Sequence, residues 1–326
     1  MRAIVISKYG GPEVLVQEEL PDPVPDEGEV LVRVKAFGLN HAECYFRSGA
    51  WGEVAKVTGI ECAGVVEADL SGTFVPGTRV VAILGGMGRT RNGSYAELVT
   101  IPASNVAAIE VDLAWEVMAA VPEVFATAWS GLHLNLNVQA GQRVLVRGAT
   151  SAVGQAAVQL AASHGCSVVA TSRSDRSRHL LRELGASEVL IDDGSLAAQL
   201  RSGNGPVERV LDLIGNAALR DSVGCLERDG RLCQIGFLGG LAPVADFSPM
   251  LDLPTGVQLS FYGSAFVLGT IAYPLAEVPL ATIFEQVAAS KLKGDPVRVF
   301  PFGDVVEAHR LLETGTAGGK MVVSTP

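Results

Sequence analysis

The sequence predicts an α/β protein in two parts: a six-stranded parallel sheet with crossover helices, and a mostly-β domain. Three observations predict it. Residues 143–263 alternate six short apolar runs with helical segments, and such alternation folds into a parallel sheet with right-handed crossovers. Residues 1 to about 120 instead carry short apolar runs broken by turn clusters, the pattern of a compact β fold. The chain has 326 residues, 48% hydrophobic and only 18% charged. Ordinary soluble proteins are roughly 25% charged and hold ~150 residues per domain. Two domains, a large core and a subunit interface are therefore expected.

The elements follow in order. Ala3–Ile6, Val30–Val34 and Arg79–Ile83 read as strands, and Pro21, Pro23 and Pro25 mark an extended connector that cannot be helix interior. Arg143–Arg147 is the first strand of the second part, followed by a helix from Ala152 to His164 and a strand over Ser167–Thr171. Arg176 to Leu184 is helical and stops at Gly185, a C-terminal capping residue. Strands continue at Glu188–Ile191, Val207–Leu213, Arg231–Ile235 and Val257–Tyr262, with helices near 194–201 and 216–227 between them. Six strands with their helices make a dinucleotide-binding Rossmann unit. The tail has helices at Leu280–Ala289 and Val305–Leu312 and a strand at Lys320–Val323. It is too short to fold alone and is expected to pack on the N-terminal β domain.

Composition excludes several classes. Acids outnumber bases 35 to 25, giving a net charge of -10, and no basic run appears, so nucleic-acid binding is not expected. Residues 148–172 lack charge but are broken by Gly154 and Gly165, and 267–284 hold Pro274, Glu277 and Pro279. Neither provides the ~20 apolar residues of one spanning helix, and no membrane association is expected. The opening MRAIVISKYGG has no apolar signal core. Five cysteines without a CxxC pair read as reduced, mostly buried thiols of a cytoplasmic protein.

The strongest chemical signal is VLVRGATSAVGQAA, residues 144–157. A strand ends at Arg147, a helix begins near Ala152, and Gly148, Ser151 and Gly154 lie three apart between them. Gly148 permits a tight turn, Ser151 is expected to offer a hydroxyl to a phosphate, and Gly154 to bring helix and sheet close. Thr150, Ala152 and Val153 complete the turn. A helix start with free N–H groups suits a pyrophosphate. The tip of the second strand carries Ser172 and Arg173, with Arg176 and Arg178 behind, and no acid. A carboxylate there would hold a ribose 2′-hydroxyl, whereas arginine grips a 2′-phosphate. NADPH is therefore the expected cofactor. Asp175 is expected to cap the following helix.

These segments resemble the medium-chain dehydrogenase/reductase superfamily, and within it the zinc-independent quinone oxidoreductases. The resemblance spans the chain: MRAIVISKYGGPEVL at the start, GLNHAECYFRSG at 38–49, GIECAGVV at 59–66, PGTRVVA at 76–82, GSYAE at 93–97, ATAWSGL at 126–132, GATSAVG at 148–154 and GGKMVV at 318–323. It implies a GroES-like catalytic domain over residues 1–122 and 265–326, and a Rossmann NADPH-binding domain over 123–264. Zinc members place a cysteine where this chain has Asn40, and a histidine where it has Ile60. Isoleucine binds no metal and asparagine is a poor zinc ligand. Residues 85–100 contain no cysteine, so the four-cysteine lobe is missing. His41, Cys44, Glu61 and Cys62 have plausible types but no diagnostic spacing. No metal is expected.

The resemblance implies the site. Asn40 falls beside the nicotinamide ribose and substrate, Tyr45 and Trp51 where relatives line a quinone pocket, and Thr127 near the nicotinamide. Gly215, and Gly236 with Phe237, follow strand carboxyl ends, where open α/β sheets bind ligands. Lys320 matches a terminal lysine near the cofactor in some relatives, or is a surface charge. Histidines 133, 164, 179 and 309 read as surface or capping residues. The implied activity is zinc-free hydride transfer from NADPH to a quinone or similar conjugated carbonyl. Enoyl or alkenal reduction on a 2-alkenone-type acceptor is the alternative; a non-catalytic NADPH-binding protein and a zinc alcohol dehydrogenase rank lower. A homodimer is expected through the apolar run Val257–Tyr262.

Overall fold

The computed structural model describes residues 1–326. The chain begins with β1 (Arg2–Ile6), β2 (Leu15–Glu19), β3 (Glu29–Gly38), helix α1 (His41–Ser48), β4 (Glu61–Asp69), β5 (Arg79–Ile83), β6 (Leu98–Pro102) and β7 (Val106–Ala108). Helices α2 (Trp115–Ala120) and α3 (Pro122–Trp129) lead to β8 (Arg143–Arg147), α4 (Ala152–Ser163), β9 (Ser167–Ser172), α5 (Arg178–Glu183) and β10 (Glu188–Ile191). Then come α6 (Leu196–Ser202), β11 (Val207–Asp212), α7 (Leu219–Gly224), β12 (Leu226–Gln234), α8 (Pro249–Asp252) and β13 (Gln258–Phe261). The chain closes with α9 (Ser264–Val267), α10 (Leu280–Ala288), β14 (Arg298–Pro301), α11 (Val305–Glu313) and β15 (Met321–Ser324).

Two compact units result. One joins Met1–Glu123 to Ala265–Pro326, and the other is Val124–Ser264. In the first, one sheet runs β14-β15-β3-β4-β5-β7, with β6 on β3, and β1 and β2 form a separate hairpin. The tail belongs to this unit because β15 adds antiparallel to β3, Val322 opposite Gly38. Phe300, Phe302, Val305, Ala308, Leu312, Met321 and Val323 share one buried core with Ala3, Val30, Phe37 and Tyr95. Packing those tail residues onto the N-terminal sheet removes from water, at roughly 25 cal/mol per Å², apolar surface that a segment of this size alone would bury only marginally.

The second unit is a parallel sheet in the order β10-β9-β8-β11-β12-β13. Its inner strands are apolar runs because helices cover both faces: Val144, Leu145 and Val146 are each 0% exposed. Arg147, at the end of β8, is buried and clamps Asp192 through Nε (2.8 Å) and Nη2 (2.7 Å), while Nη1 reaches Ser222 Oγ and Asp221. The outer strand β13 is thin and wet, with Leu259 and Phe261 exposed.

Several boundaries differ from expectation. The segment expected to be helical from Arg176 opens as a 3-10 turn, Asp175–Ser177, and the α-helix starts at Arg178. Asp175 does not cap it: the carboxylate accepts Arg178 Nε at 2.6 Å instead. β12 begins at Leu226, five residues before the expected Arg231. The strand expected over Val257–Tyr262 shortens to four residues. No helix is long and apolar enough to cross a membrane.

Candidate functional site

In the β-rich unit the site grows from the corner where β3 ends. Asn40 is extended (φ -131, ψ 151) and starts α1, and the Glu43 carboxylate reaches back to accept the Asn40 N–H at 2.5 Å. This is half of a capping box, which satisfies an N–H that the helix leaves unpaired. Glu43 also accepts from Asn40 Nδ2 (3.3 Å) and Ile60 N–H (3.3 Å). Complete burial outweighs these donors and pushes the Glu43 carboxyl up to about 8.

Asn40 is a hub. Its Oδ1 accepts from Lys320 Nζ at 2.5 Å, and its Nδ2 donates to Glu61 Oε1 at 3.0 Å. Lys320 Nζ also donates to Glu61 Oε1 at 2.5 Å, and Glu61 Oε2 accepts the Glu123 N–H at 2.8 Å. Lys320 is therefore no surface charge: its side chain is 5% exposed and that of Glu61 0%. The backbone at Gly38 passes so close that a Cβ there would meet the Lys320 side chain at 2.7 Å and run into the Glu61 carboxylate. Lys320 thus lies against Asn40 and Glu61 in one buried corner. No three His, Cys, Asp or Glu side chains are gathered as a metal site anywhere in the chain.

An aromatic wall stands beside this corner. Tyr45 stacks on Trp51 at 4.8 Å between centroids, and Trp51 meets Phe46 edge-on at 5.6 Å and Phe266 at 5.0 Å. Partial burial raises the Tyr45 phenol above its ordinary value, so it stays a donor at neutral pH. Behind the wall, His309 is no surface residue. It is 0% exposed, its Nε2 lies 2.9 Å from Tyr95 Oη, and burial pushes its pKa down to about 3. Arg47, also fully buried, ties α1 to Glu313 and to the Gly10 carbonyl.

The other unit holds the phosphate turn. Gly148 has φ +83, a left-handed turn off β8. Ser151 caps α4: Oγ accepts the Gly154 N–H (3.1 Å) and donates to the Gly148 carbonyl (2.8 Å). Its hydroxyl is committed to the turn rather than offered to a phosphate. Gly154 serves the same closure, since a Cβ would strike the Gly148 carbonyl and stand 2.7 Å from Ala149 Cα. Thr150, Ser151, Ala152 and Val153 are half-buried at the opening of this 12-residue helix, whose first N–H groups have no helical acceptor.

At the tip of β9, Ser172 is 5% exposed and turns its hydroxyl to the Ser174 carbonyl at 2.8 Å. Arg173 is exposed beyond it. Arg178 is engaged within the unit: Nε holds Asp175 and Nη1 donates to the Val189 carbonyl at 2.9 Å. Gly215 (φ +83) and Gly236 nest: a Cβ on Gly215 would strike the Gly236 carbonyl. Beneath them Asp212, missed in the sequence, accepts the Ile214 and Gly215 N–H groups (2.7 and 2.9 Å) and Ser222 Oγ (2.6 Å). Phe237 tilts against Phe261 at 5.7 Å. Thr127 is 2% exposed on α3. The glycine cradle, the open helix start and Arg173 fit a phosphorylated dinucleotide. Asn40, Ile60 and the Lys320 ammonium do not fit zinc.

Comparison with known proteins agrees with this layout. Residues 26–111 match the alcohol dehydrogenase GroES-like domain and residues 152–277 the zinc-binding dehydrogenase family. The chain is 31% identical to a mouse quinone oxidoreductase over 250 residues, 73% of this chain and 74% of that one. It is 29% identical to the human quinone oxidoreductase over 341 aligned positions, 99% of this chain and 97% of that one. Among solved structures, mycobacterial Rv1454c complexed with NADPH superposes with a TM-score of 0.87 at 29% identity, covering 99% of each chain.

Removing one member of a buried ion pair strands the other, which typically costs about 3–5 kcal/mol. Lys320→Met is expected to lose stability in that range in urea unfolding, and Lys320→Met with Glu61→Gln to recover part of it. Equal loss in single and double variants would show that the pair is not coupled. The Glu43 proton predicts a pH effect. The folded state keeps it up to about 8, whereas the ordinary carboxyl releases it near 4.5. The folded state therefore binds more protons between those values, and stability from this group falls as pH rises through that window. Glu43→Gln should flatten the decline in melting temperature between pH 5 and 8.5, and an unchanged slope would refute the assignment.

Proposed function

This chain belongs to the quinone oxidoreductase-like family of the medium-chain dehydrogenase/reductase superfamily, and we propose that it reduces a quinone or similar conjugated carbonyl with NADPH, without a metal. One observation carries the reading. The Lys320 ammonium is bonded to both Glu61 and Asn40, so a cation already fills the corner where a zinc ion would need ligands. Alcohol oxidation needs a Lewis acid to stabilise the alkoxide. A quinone or enone spreads the incoming charge onto its own oxygen and needs none.

NADPH, when bound, supplies the hydride. The chain's own groups do the rest. The turn at Gly148, Thr150, Ala152, Val153 and Gly154 receives the pyrophosphate on N–H groups, with Ser151 stiffening it. Arg173, just beyond Ser172 at the tip of β9, would meet the ribose 2′-phosphate. The nested backbone at Gly215 and Gly236, with Phe237 and Thr127, serves the nicotinamide. Tyr45 and Trp51 stack the flat acceptor, and the Tyr45 hydroxyl donates to the oxygen that gains charge. Asn40, fixed by Lys320 and Glu61, keeps a carbonyl lone pair for a ribose hydroxyl. The hydride would bring two electrons and one proton, and the acceptor oxygen would take the second proton from solvent through the Tyr45 hydroxyl, so that a quinone leaves as its hydroquinone.

The exposed face of β13, with Leu259 and Phe261, supports a homodimer that continues the sheet across a two-fold axis. Five unpaired cysteines, four of them buried with thiols pushed up to about 12, suit a reducing cytoplasm.

NADPH oxidation with 1,4-benzoquinone, 9,10-phenanthrenequinone, a 2-alkenal and crotonyl-CoA tests the activity. The quinones should turn over fastest; turnover of the alkenal alone would move the reading to alkenal reduction, and none with any acceptor would remove it. Arg173→Ala should weaken NADPH by about 1–3 kcal/mol, roughly 5–150-fold in Kd, and leave NADH nearly unchanged. Equal losses for both nucleotides would refute the 2′-phosphate contact. Phe261→Asp should halve the mass seen by size-exclusion chromatography with light scattering. A wild-type monomer would end the dimer proposal.

A further inference from the structure

Met1–Glu123 contains six arginines. Five pair with carboxylates: Arg2 with Glu97, Arg33 with Glu67, Arg47 with Glu313, Arg79 with Asp112 and Arg91 with Glu29. Arg89 is the exception. Its guanidinium lies over the Phe266 ring at 4.4 Å, and its one protein hydrogen bond runs from Nη1 to the Ala265 carbonyl at 3.1 Å. Partial burial lowers its pKa, and no acidic side chain stands near enough to oppose that shift.

The placement is specific. Arg89 sits in a tight turn whose Arg89, Thr90 and Arg91 N–H groups all converge on the Gly86 carbonyl, at 3.1, 2.9 and 3.2 Å. The turn holds the guanidinium on Phe266, and Phe266 leans on Trp51, which stacks on Tyr45. A cation therefore ends a continuous row of aromatic faces. An arginine stacked on a ring keeps its in-plane N–H fork pointing outward, the geometry that accepts a carboxylate or sulfonate in bidentate fashion. Stacking on an exposed ring is worth only about 0.5–1 kcal/mol. That is small compensation for a half-buried charge with no counter-ion, in a unit that pairs every other arginine of its N-terminal segment.

We infer that Arg89 is a specificity residue that reads an anionic group on the acceptor. The preferred substrate is a planar conjugated carbonyl bearing a carboxylate or another fixed negative charge. The substrate class rests on the reductase reading above; the anion site does not. A flat ring stacked on the Tyr45–Trp51 end would set its charged substituent toward Arg89. Such a local cation matters in a chain of net charge -10, whose overall field repels anions.

Two arms test it. Calorimetric titration with naphthalene-2-sulfonate and 2-naphthol reads binding without turnover. Wild type should bind the sulfonate at least tenfold more tightly than the naphthol. Arg89→Gln should abolish that preference while leaving naphthol affinity unchanged, and Arg89→Lys should keep part of it. The kinetic arm compares kcat/KM for 1,4-naphthoquinone-2-sulfonate and 1,4-naphthoquinone, taking the wild-type to Arg89→Gln ratio for each so that intrinsic reactivity cancels. The ratio should be tenfold or more for the sulfonate and near one for the neutral quinone, and should shrink as salt rises. If neither quinone turns over, the reductase reading fails while the calorimetry still decides the anion site. Equal affinity of wild type for both naphthalenes, no sulfonate binding, or a preference that survives in Arg89→Gln overturns the proposal.

Discussion

The contact between Lys320 and Glu61 joins three distant stretches of chain. Lys320 leads into the last strand, Glu61 opens β4, and Asn40, bonded to both, starts α1. Burying two charges costs several kcal/mol per ion unless the remaining polar atoms are satisfied. Here they are: Glu61 accepts from Lys320, from Asn40 and from the Glu123 N–H. Because Lys320 and Asn40 are 280 residues apart, this arrangement exists only once the tail has closed the N-terminal sheet. The same closure explains why Gly38, opposite Val322 in the ladder, carries no side chain: the space belongs to the ion pair.

That constraint also narrows the chemistry. A lysine ammonium is a single charge with three donors and no vacant coordination position. At least two of those donors are already given to Asn40 and Glu61. It can hold neighbouring groups in register but cannot bind and polarise an alkoxide as a dication does. The corner therefore contributes rigidity. On the proposed reading, charge that develops on the acceptor would be carried by its own conjugation and by the Tyr45 phenol on the aromatic wall.

What the sequence disclosed divides along the same physical line. The parallel strands were legible because both of their faces are covered, so Arg143–Arg147 and Glu188–Ile191 stand out as apolar runs with the bounds the fold shows. The lower half of β12 was not: the preceding helix is expected to run to 227, and the exposed, charged Glu227, Arg228 and Asp229 carry no apolar run that would mark a strand. Helix α1 was hidden by its mixed composition, yet Asn40 followed three residues later by Glu43 is a capping-box spacing that could have announced it. Arg178 and Asp175 are three apart, a helical pairing distance, which could have removed Arg178 from the phosphate grip. Lys320 could not have been placed: nothing local in GGKMVV distinguishes a surface lysine from one whose partner lies 259 residues away.

The charges that remain follow from how the others are used. Arg147, directly before the phosphate turn, looks suited to a nucleotide by position, but Asp192, Asp221 and Ser222 absorb its guanidinium and it works as a brace at the end of β8. Arg47 is absorbed by Glu313 and Gly10 in the same manner. Among the six arginines of Met1–Glu123, five meet a carboxylate, whereas Arg89, fixed in its turn, lies on the Phe266 ring. A positive group kept unneutralised at the end of an aromatic surface leaves its electrostatic demand to be met from solution, and the aromatic surface beside it defines what shape of anion can meet it.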